Sequence, residues 1–249
     1  MRTFATLLIS AFSALPAVAA SSQWLDVDGG SLRFLAREKP AGGYEAALQV
    51  KLDEGFKTYW TVPGSSGLPP VLNISIDRFG SGVPGGTVSV DWPAPAVYED
   101  GSGYVTGYSK EVVVPVDISG TNGLRELTAS GIIGVCGEIC IPVQFTLTAP
   151  LEQSASSSLE EAQVFAMAGA SVVMADDVGL NRKGDILTAP TPAGTAKVFW
   201  VSAQPGTVPV PGTIENGTAH FQTKGEQRPD GLLIIDGVVH PARIEAARD

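Results

Sequence analysis

Apolar and polar residues alternate in short runs along this chain, and glycines and prolines punctuate the runs. "YEAALQVKL" (44–52), "TVSVDWPAP" (87–95), "EVVVPVDI" (111–118), "LRELTASGIIGV" (124–135) and "CIPVQFTLTAP" (140–150) each read as a short β-strand. Strands at this spacing, with turn signals between them and no helical period, predict an antiparallel β-sandwich. Two Gly-rich stretches that hold aromatic residues, "YWTVPGSSGLPP" (59–70) and "YEDGSGYVTGY" (98–108), read as ordered loops.

The pattern changes at "LEQSASS" (151–157). The next segment, "SLEEAQVFAMAGA", predicts a helix whose first turn is closed by a capping box of Ser158 and Glu161. Beyond it, "TAKVFWVSA" (195–203), "GTIENGTAHFQTKG" (212–225) and "GLLIIDGVVH" (231–240) predict a smaller second β-rich domain, with a hairpin turn at Asn216-Gly217. The expected organisation is a sandwich over 21–150, then a helix and a β-rich domain of unassigned role within 151–249.

The first residues set the compartment. "MRTFATLLISAFSALPAVAA" has one Arg, a short apolar run and small residues at its end, which is the layout of a secretory signal peptide over 1–20, cut after Ala19 or Ala20. The apolar run is too short to span a bilayer, and no later stretch is long and uncharged enough, so the mature chain is expected to be exported and not membrane-spanning. Its 16 Lys+Arg and 26 Asp+Glu lose only Arg2 on cleavage, which leaves 15 against 26, a charge of −11. An acidic surface of that kind argues against nucleic acid or anionic lipid as a partner.

Two cysteines, Cys136 and Cys140 in "GVCGEICIPV", are the only thiols in the chain. The alternation on either side places them at a hairpin tip, with Gly137-Glu138-Ile139 as a loop of a length that usually needs one left-handed residue. Facing residues of a hairpin lie about 4.5–5.5 Å apart, and a disulfide accepts roughly 4.4–6.8 Å, so the pair can open and close with little backbone movement. A purely structural staple is one reading, because most cysteine pairs in exported proteins are structural. So short a ring stabilises by only about 2 kcal/mol, against about 4.7 kcal/mol for a loop of a hundred residues. A metal site is another. Zinc lacks ligands, since His220 and His240 lie far along the chain, but a two-thiolate copper(I) site remains open. There is no G-x-S-x-G elbow for a serine hydrolase. A local, reversible dithiol at a loop tip suits thiol–disulfide exchange best.

"GVCGEICIPV", preceded by "WPAPAVYEDGSGYVTGYSKEVVVPVDI" and "GFKTYWTVPGSSGLPP", resembles the periplasmic N-terminal domain of the DsbD family of thiol:disulfide interchange proteins, including the related suppressor-of-copper-sensitivity proteins. The resemblance covers about 45–150 and implies an immunoglobulin-like sandwich, a periplasmic location and no cofactor. It implies electrons received from a membrane-embedded thiol reductase and passed to periplasmic thioredoxin-like or disulfide-bearing proteins, in settings such as cytochrome c biogenesis and copper tolerance. Two features depart from the family. The best-known members space their cysteines more widely, and this chain ends at Asp249 without a transmembrane segment or a thioredoxin-like domain, so its electron donor is expected to be a separate polypeptide.

By the same resemblance Cys140 forms the mixed disulfide with a partner and Cys136 is the resolving thiol. "YEDGSGY" matches the loop that covers the cysteines, with Tyr104 as the first choice of aromatic shield, Tyr98 as the second, and Glu99 and Asp100 as flanking acids. Tyr59 and Trp60 are placed beneath the site or in the core, with core packing the expected use. Neither cysteine has a cationic neighbour in sequence, and Glu138 between them is expected to be a solvated tip residue. A non-catalytic binding or assembly module with a structural disulfide, or a copper-handling protein, are the alternatives.

Overall fold

The computed structural model describes residues 18–78, 86–101, 103–153, 155–171, 174–224 and 228–245. The expected signal peptide therefore lies almost wholly outside the described residues. The strands begin with β1 (Val18–Ser21), β2 (Leu25–Val27), β3 (Gly30–Glu38), β4 (Tyr44–Leu52), β5 (Lys57–Gly64), β6 (Val71–Arg78) and β7 (Thr87–Val90). They continue with β8 (Ala96–Asp100), β9 (Gly103–Ser109), β10 (Glu111–Ser119), β11 (Leu124–Cys136), β12 (Cys140–Pro150) and β13 (Ala155–Ser156). Helix α1 (Leu159–Ser171) is followed by β14 (Val178–Lys183), β15 (Ile186–Pro190), β16 (Val198–Ser202), β17 (Val210–Glu215), β18 (Thr218–Gln222), β19 (Asp230–Ile235) and β20 (Val238–Ile244).

The first thirteen strands form an immunoglobulin-like sandwich of two sheets. One runs β13-β1-β3-β4-β10-β7 with β2 on β3; the other runs β12-β11-β5-β9-β8 with β6 on β11. Alternate residues of each sheet meet between them. Leu32, Phe34, Leu48, Val114 and Ile118 face Trp60, Val62, Leu127, Ile133, Val135 and Phe145 in one buried cluster. Strands β3, β4 and β10 are buried on their other face too, where Leu35, Ala47 and Val113 pack under Val164, Phe165 and Ala168 of α1. The helix thus covers the sandwich. Its capping box forms as expected: the Glu161 N–H donates to Ser158 Oγ at 3.1 Å, and the Ser158 N–H donates to Glu161 Oε2 at 2.9 Å.

A buried Arg33 lies within this covered sheet. It donates to Gln49 at 2.6 Å and pairs with Glu160 of α1 at 3.1 Å, while Lys51 reaches the same carboxylate at 3.0 Å. Both cations also overlie the ring of Trp24. Ala19 and Ala20 are buried in the sandwich and Ala20 pairs with Ala36, so the expected cleavage positions fall within β1.

The remaining strands close a barrel in the order β14-β15-β18-β17-β16-β19-β20. Leu180, Leu187, Trp200, Phe221 and Leu233 fill it. The alternate residues Val201, Leu232, Ile234 and Val239 face outward and join the sandwich core. That double burial explains the unbroken apolar run "LLII". Within 231–240, Asp236 (φ 48°) and Gly237 (φ 86°) turn β19 back into β20. The same left-handed pair occurs at Asn216 (φ 50°) and Gly217 (φ 74°), where the hairpin was expected.

Two further expectations are corrected. The stretch 59–70 is a loop only from 65 to 70, because 59–64 belong to β5, and 98–108 is the β8–β9 hairpin rather than a loop. Strand β7 stops at Val90, ahead of Pro93 and Pro95, which cannot donate to a ladder.

Candidate functional site

The β11–β12 hairpin keeps one register from Glu126↔Pro150 to Cys136↔Cys140. At its tip the two cysteines are disulfide-bonded, with their Cα atoms 4.0 Å apart. The three-residue loop turns without a left-handed residue, contrary to expectation; the Gly137 N–H donates to the Ile139 carbonyl at 3.2 Å instead. Gly137 answers a different demand, since a Cβ there would lie 3.1 Å from the Phe56 ring. The sulfurs are unequal. Cys136 is 1% exposed, whereas Cys140 is open to solvent beside Ile139, which is 77% exposed.

Sheet register brings the rest of the site together. Cys136 pairs with Cys140 on one side and with Lys57 of β5 on the other, and Lys57 pairs with Ser109 of β9. Directly paired residues project from the same face, so Cys140, Cys136, Lys57 and Ser109 form one row across four strands. Two residues along β5, Tyr59 projects from this face and is 3% exposed. Its ring passes over β11 because position 134 is glycine: a Cβ there would sit 3.3 Å from Tyr59 Cδ2 and 3.2 Å from Leu68 Cβ. Gly67 closes on the ring similarly, with an added Cβ only 2.7 Å from Cδ1.

The Tyr59 hydroxyl lies 3.2 Å from Cys140 Sγ. A disulfide sulfur has no proton, so the phenol donates. Burial raises the Tyr59 pKa, and the Asp100 carboxylate raises it further, against a smaller opposing contribution from Ser66. The phenol therefore stays protonated at neutral pH and remains a donor when Cys140 becomes a thiolate. Asp100 itself accepts a hydrogen bond from Ser66 at 3.1 Å.

The β8–β9 hairpin divides the four residues expected to cover the cysteines. Tyr98 pairs with Val105 and Glu99 with Tyr104, so alternate positions face opposite ways. Tyr98 packs on the cluster of Cys136, Tyr59 and Val105, and its hydroxyl donates to Ser109 at 3.1 Å. Tyr104 projects from the other face and meets Phe199 of the barrel edge-on, with ring centroids 5.1 Å apart. Glu99 lines a cleft of about 290 Å³ with Tyr104, Lys197 and Phe199, away from the sulfurs. Trp60 points into the sandwich core, while Tyr59 is the aromatic side chain hydrogen-bonded to a sulfur. Composition gave no hint of that role; a Tyr two residues along from the strand partner of a cysteine, with glycine opposite, is the signal that was there to find.

A disulfide with one buried sulfur, one exposed sulfur beside a phenol donor and aromatic rings over it is chemically suited to exchange with an incoming thiolate at the exposed sulfur. Residues 31–152 match the family described as thiol:disulfide interchange protein DsbD, N-terminal. Those residues belong to the DsbD N-terminal domain family. No curated protein matches the chain. Among solved structures, the N-terminal periplasmic domain of ScsB from Proteus mirabilis aligns with a TM-score of 0.69 at 20% identity, covering 90% of this chain and 97% of that one. At that identity the likeness concerns the fold, and its coverage extends beyond the sandwich. Among the described residues no helix is long and apolar enough to cross a membrane. No group of three or more His, Cys, Asp or Glu side chains suited to a metal gathers among them either.

Proposed function

We propose that this chain is an exported, periplasmic thiol–disulfide relay. It takes electrons from a membrane-embedded thiol reductase and passes them to thioredoxin-like or disulfide-bearing periplasmic proteins through the Cys136–Cys140 pair. The observation that supports this best is the asymmetry of the sulfurs. Cys140 is reachable and has a protonated phenol beside it, whereas Cys136 is buried behind the hairpin tip. A partner thiolate attacks Cys140 Sγ, the disulfide opens, and Cys136 leaves as a thiolate. In the donating direction the Cys140 thiolate attacks a partner disulfide, and Cys136 then resolves the mixed disulfide.

Tyr98 and Tyr59 roof the pair, burial reinforced by Asp100 keeps the phenol of Tyr59 protonated, and Tyr104 anchors the covering hairpin to the barrel. Glu99 serves the barrel side of that hairpin. The test is trapping. A Cys136→Ser variant has no resolving thiol and should accumulate mixed disulfides in the periplasm, visible on non-reducing gels, whereas Cys140→Ser should accumulate far fewer. Equal trapping by both variants would refute the assignment. A reduction potential of the pair near about −200 mV fits a relay, and one below about −300 mV fits a structural bond.

A further inference from the structure

We propose that Lys57 is the cationic positioning residue of the cysteine pair, stabilising the Cys136 thiolate that forms whenever the disulfide opens. This inference rests on the relay reading and assigns a role within it. The relay needs Cys136 as a thiolate twice: as the group that leaves when a partner attacks Cys140, and as the nucleophile that resolves the mixed disulfide. Its surroundings otherwise oppose that charge. Cys136 is 1% exposed, and burial disfavours a thiolate. The titratable groups around the pair are the phenols of Tyr59 and Tyr98 and the carboxylates of Asp100 and Glu138, while Glu99 faces the barrel side, and the phenol of Tyr59 is committed to Cys140.

Lys57 is the cation that the fold brings in. It is the cross-strand partner of Cys136 and projects from the same face, which puts the two Cβ atoms about 4.5–5.5 Å apart. Its ammonium lies 5.7 Å from the centre of the Tyr98 ring, the ring that packs on the Cys136 cluster. Among the described residues it has no carboxylate partner, so it is not committed to another charge. In the closed disulfide neither sulfur is charged, and the ammonium rests on the aromatic face. When a partner thiolate attacks Cys140 Sγ, the electron pair of the broken S–S bond stays on Cys136. A second partner thiolate then displaces Cys140, so the partner dithiol is oxidised to a disulfide and the pair is reduced. The flexible Lys57 stem lets the ammonium turn from the ring to the new thiolate between these steps.

The test isolates one thiol at a time in the full chain. In a Cys140→Ala background, ultraviolet thiolate absorbance followed against pH reads the Cys136 midpoint. Lys57→Met keeps the stem and removes the charge; Lys57→Arg keeps the charge. The midpoint should rise by at least about half a unit in Lys57→Met, stay near the starting value in Lys57→Arg, and differ less between the variants at high salt. The Cys140 midpoint, read in a Cys136→Ala background, should move less. An unchanged Cys136 midpoint in Lys57→Met overturns the proposal, as does an Arg variant that shifts as far as Met. Lys57→Gln gives the same reading if Met perturbs folding by circular dichroism. The relay reading fails separately: it falls if the two-cysteine protein does not exchange with bis(2-hydroxyethyl) disulfide, whatever the single-thiol titrations show.

Discussion

Tyr59 and Cys140 sit on strands that are not neighbours, yet the phenol donates to the sulfur at 3.2 Å by lying across β11 at Gly134. One side chain thus links the exposed thiol to the buried face of the sheet.

Removing that hydroxyl gives the first prediction. In Tyr59→Phe the ring stays in its glycine-lined slot while the donor is lost. A hydrogen bond to a charged group stabilises by about 1.5–3 kcal/mol when buried, and less at a half-open site such as Cys140. The Cys140 thiol pKa should rise by about half to one unit. Nucleophilicity grows with basicity and offsets part of the lost thiolate, so alkylation at neutral pH should slow only about twofold to threefold. Iodoacetamide kinetics on the reduced protein against pH would show both the shifted midpoint and the small change in plateau rate. An unshifted midpoint would mean that the hydroxyl does not bear on the thiolate.

The second prediction concerns the bond itself. The ring is short and the hairpin is closed by its own ladder, so reduction should cost at most about 2 kcal/mol of stability. Because Cys136 is buried among Tyr59 and Val105, Cys136→Ser should cost a further ~1–3 kcal/mol for an unpaired hydroxyl, and Cys136→Ala less. Denaturant unfolding of oxidised, reduced, Ser and Ala forms separates the two effects. A reduced form that fails to fold would support a structural staple.

Much of this was legible from residue patterns, and the exceptions have physical causes. Strands β10, β11 and β12 were readable because each alternates or is bounded by turn residues. "SLRFLARE" was missed as β3 because it is buried on both faces and because Arg33 is paired within the sheet, so no alternation survives. The β8–β9 hairpin was taken for a loop because glycines and acids dominate it; ladder pairing from Ala96↔Gly107 to Asp100↔Gly103 nevertheless makes it a sheet edge. The cysteine pair was plain from spacing. Lys57 was out of reach, and so was the hydrogen bond of Tyr59 to Cys140, since only the tertiary register of β5 on β11 sets these residues beside the cysteines.

A third prediction follows from Glu160. Its carboxyl is held below the usual range, first by the hydrogen bond from Lys51 and then by the charges of Arg33 and Lys51. A lowered folded-state pKa adds stability that is whole above the ordinary value of about 4.5 and is lost as pH falls through the lowered value. The side chain is half-exposed, so solvent and salt reduce the contribution. Glu160→Gln should therefore flatten the acid limb of the stability profile and change little at the basic end. Thermal unfolding from acid to neutral pH at low and high salt is the measurement, and an acid limb identical to wild type would remove Glu160 from the account.

The last prediction separates the two tyrosines of the covering hairpin. Tyr98 packs on the Cys136 cluster, while Tyr104, on the opposite face, holds the hairpin to Phe199. Removing the Tyr98 ring uncovers the sulfurs directly. Removing Tyr104 acts only by loosening the hairpin, because access then depends on how often the hairpin opens. Alkylation of the reduced pair should accordingly speed up most in Tyr98→Ala and less in Tyr104→Ala. Phe199→Ala, which touches nothing at the sulfurs, should match Tyr104→Ala. The double variant Tyr104→Ala with Phe199→Ala should be no faster than either single one, and the stability cycle should return a coupling of about 0.5–1.5 kcal/mol for an edge-to-face pair. If Tyr104→Ala exceeds Tyr98→Ala while both remain folded by circular dichroism, Tyr104 is the shield and its contact with Phe199 breaks before the thiols react. If Phe199→Ala leaves the rate unchanged while Tyr104→Ala raises it, the barrel does not govern access to the pair.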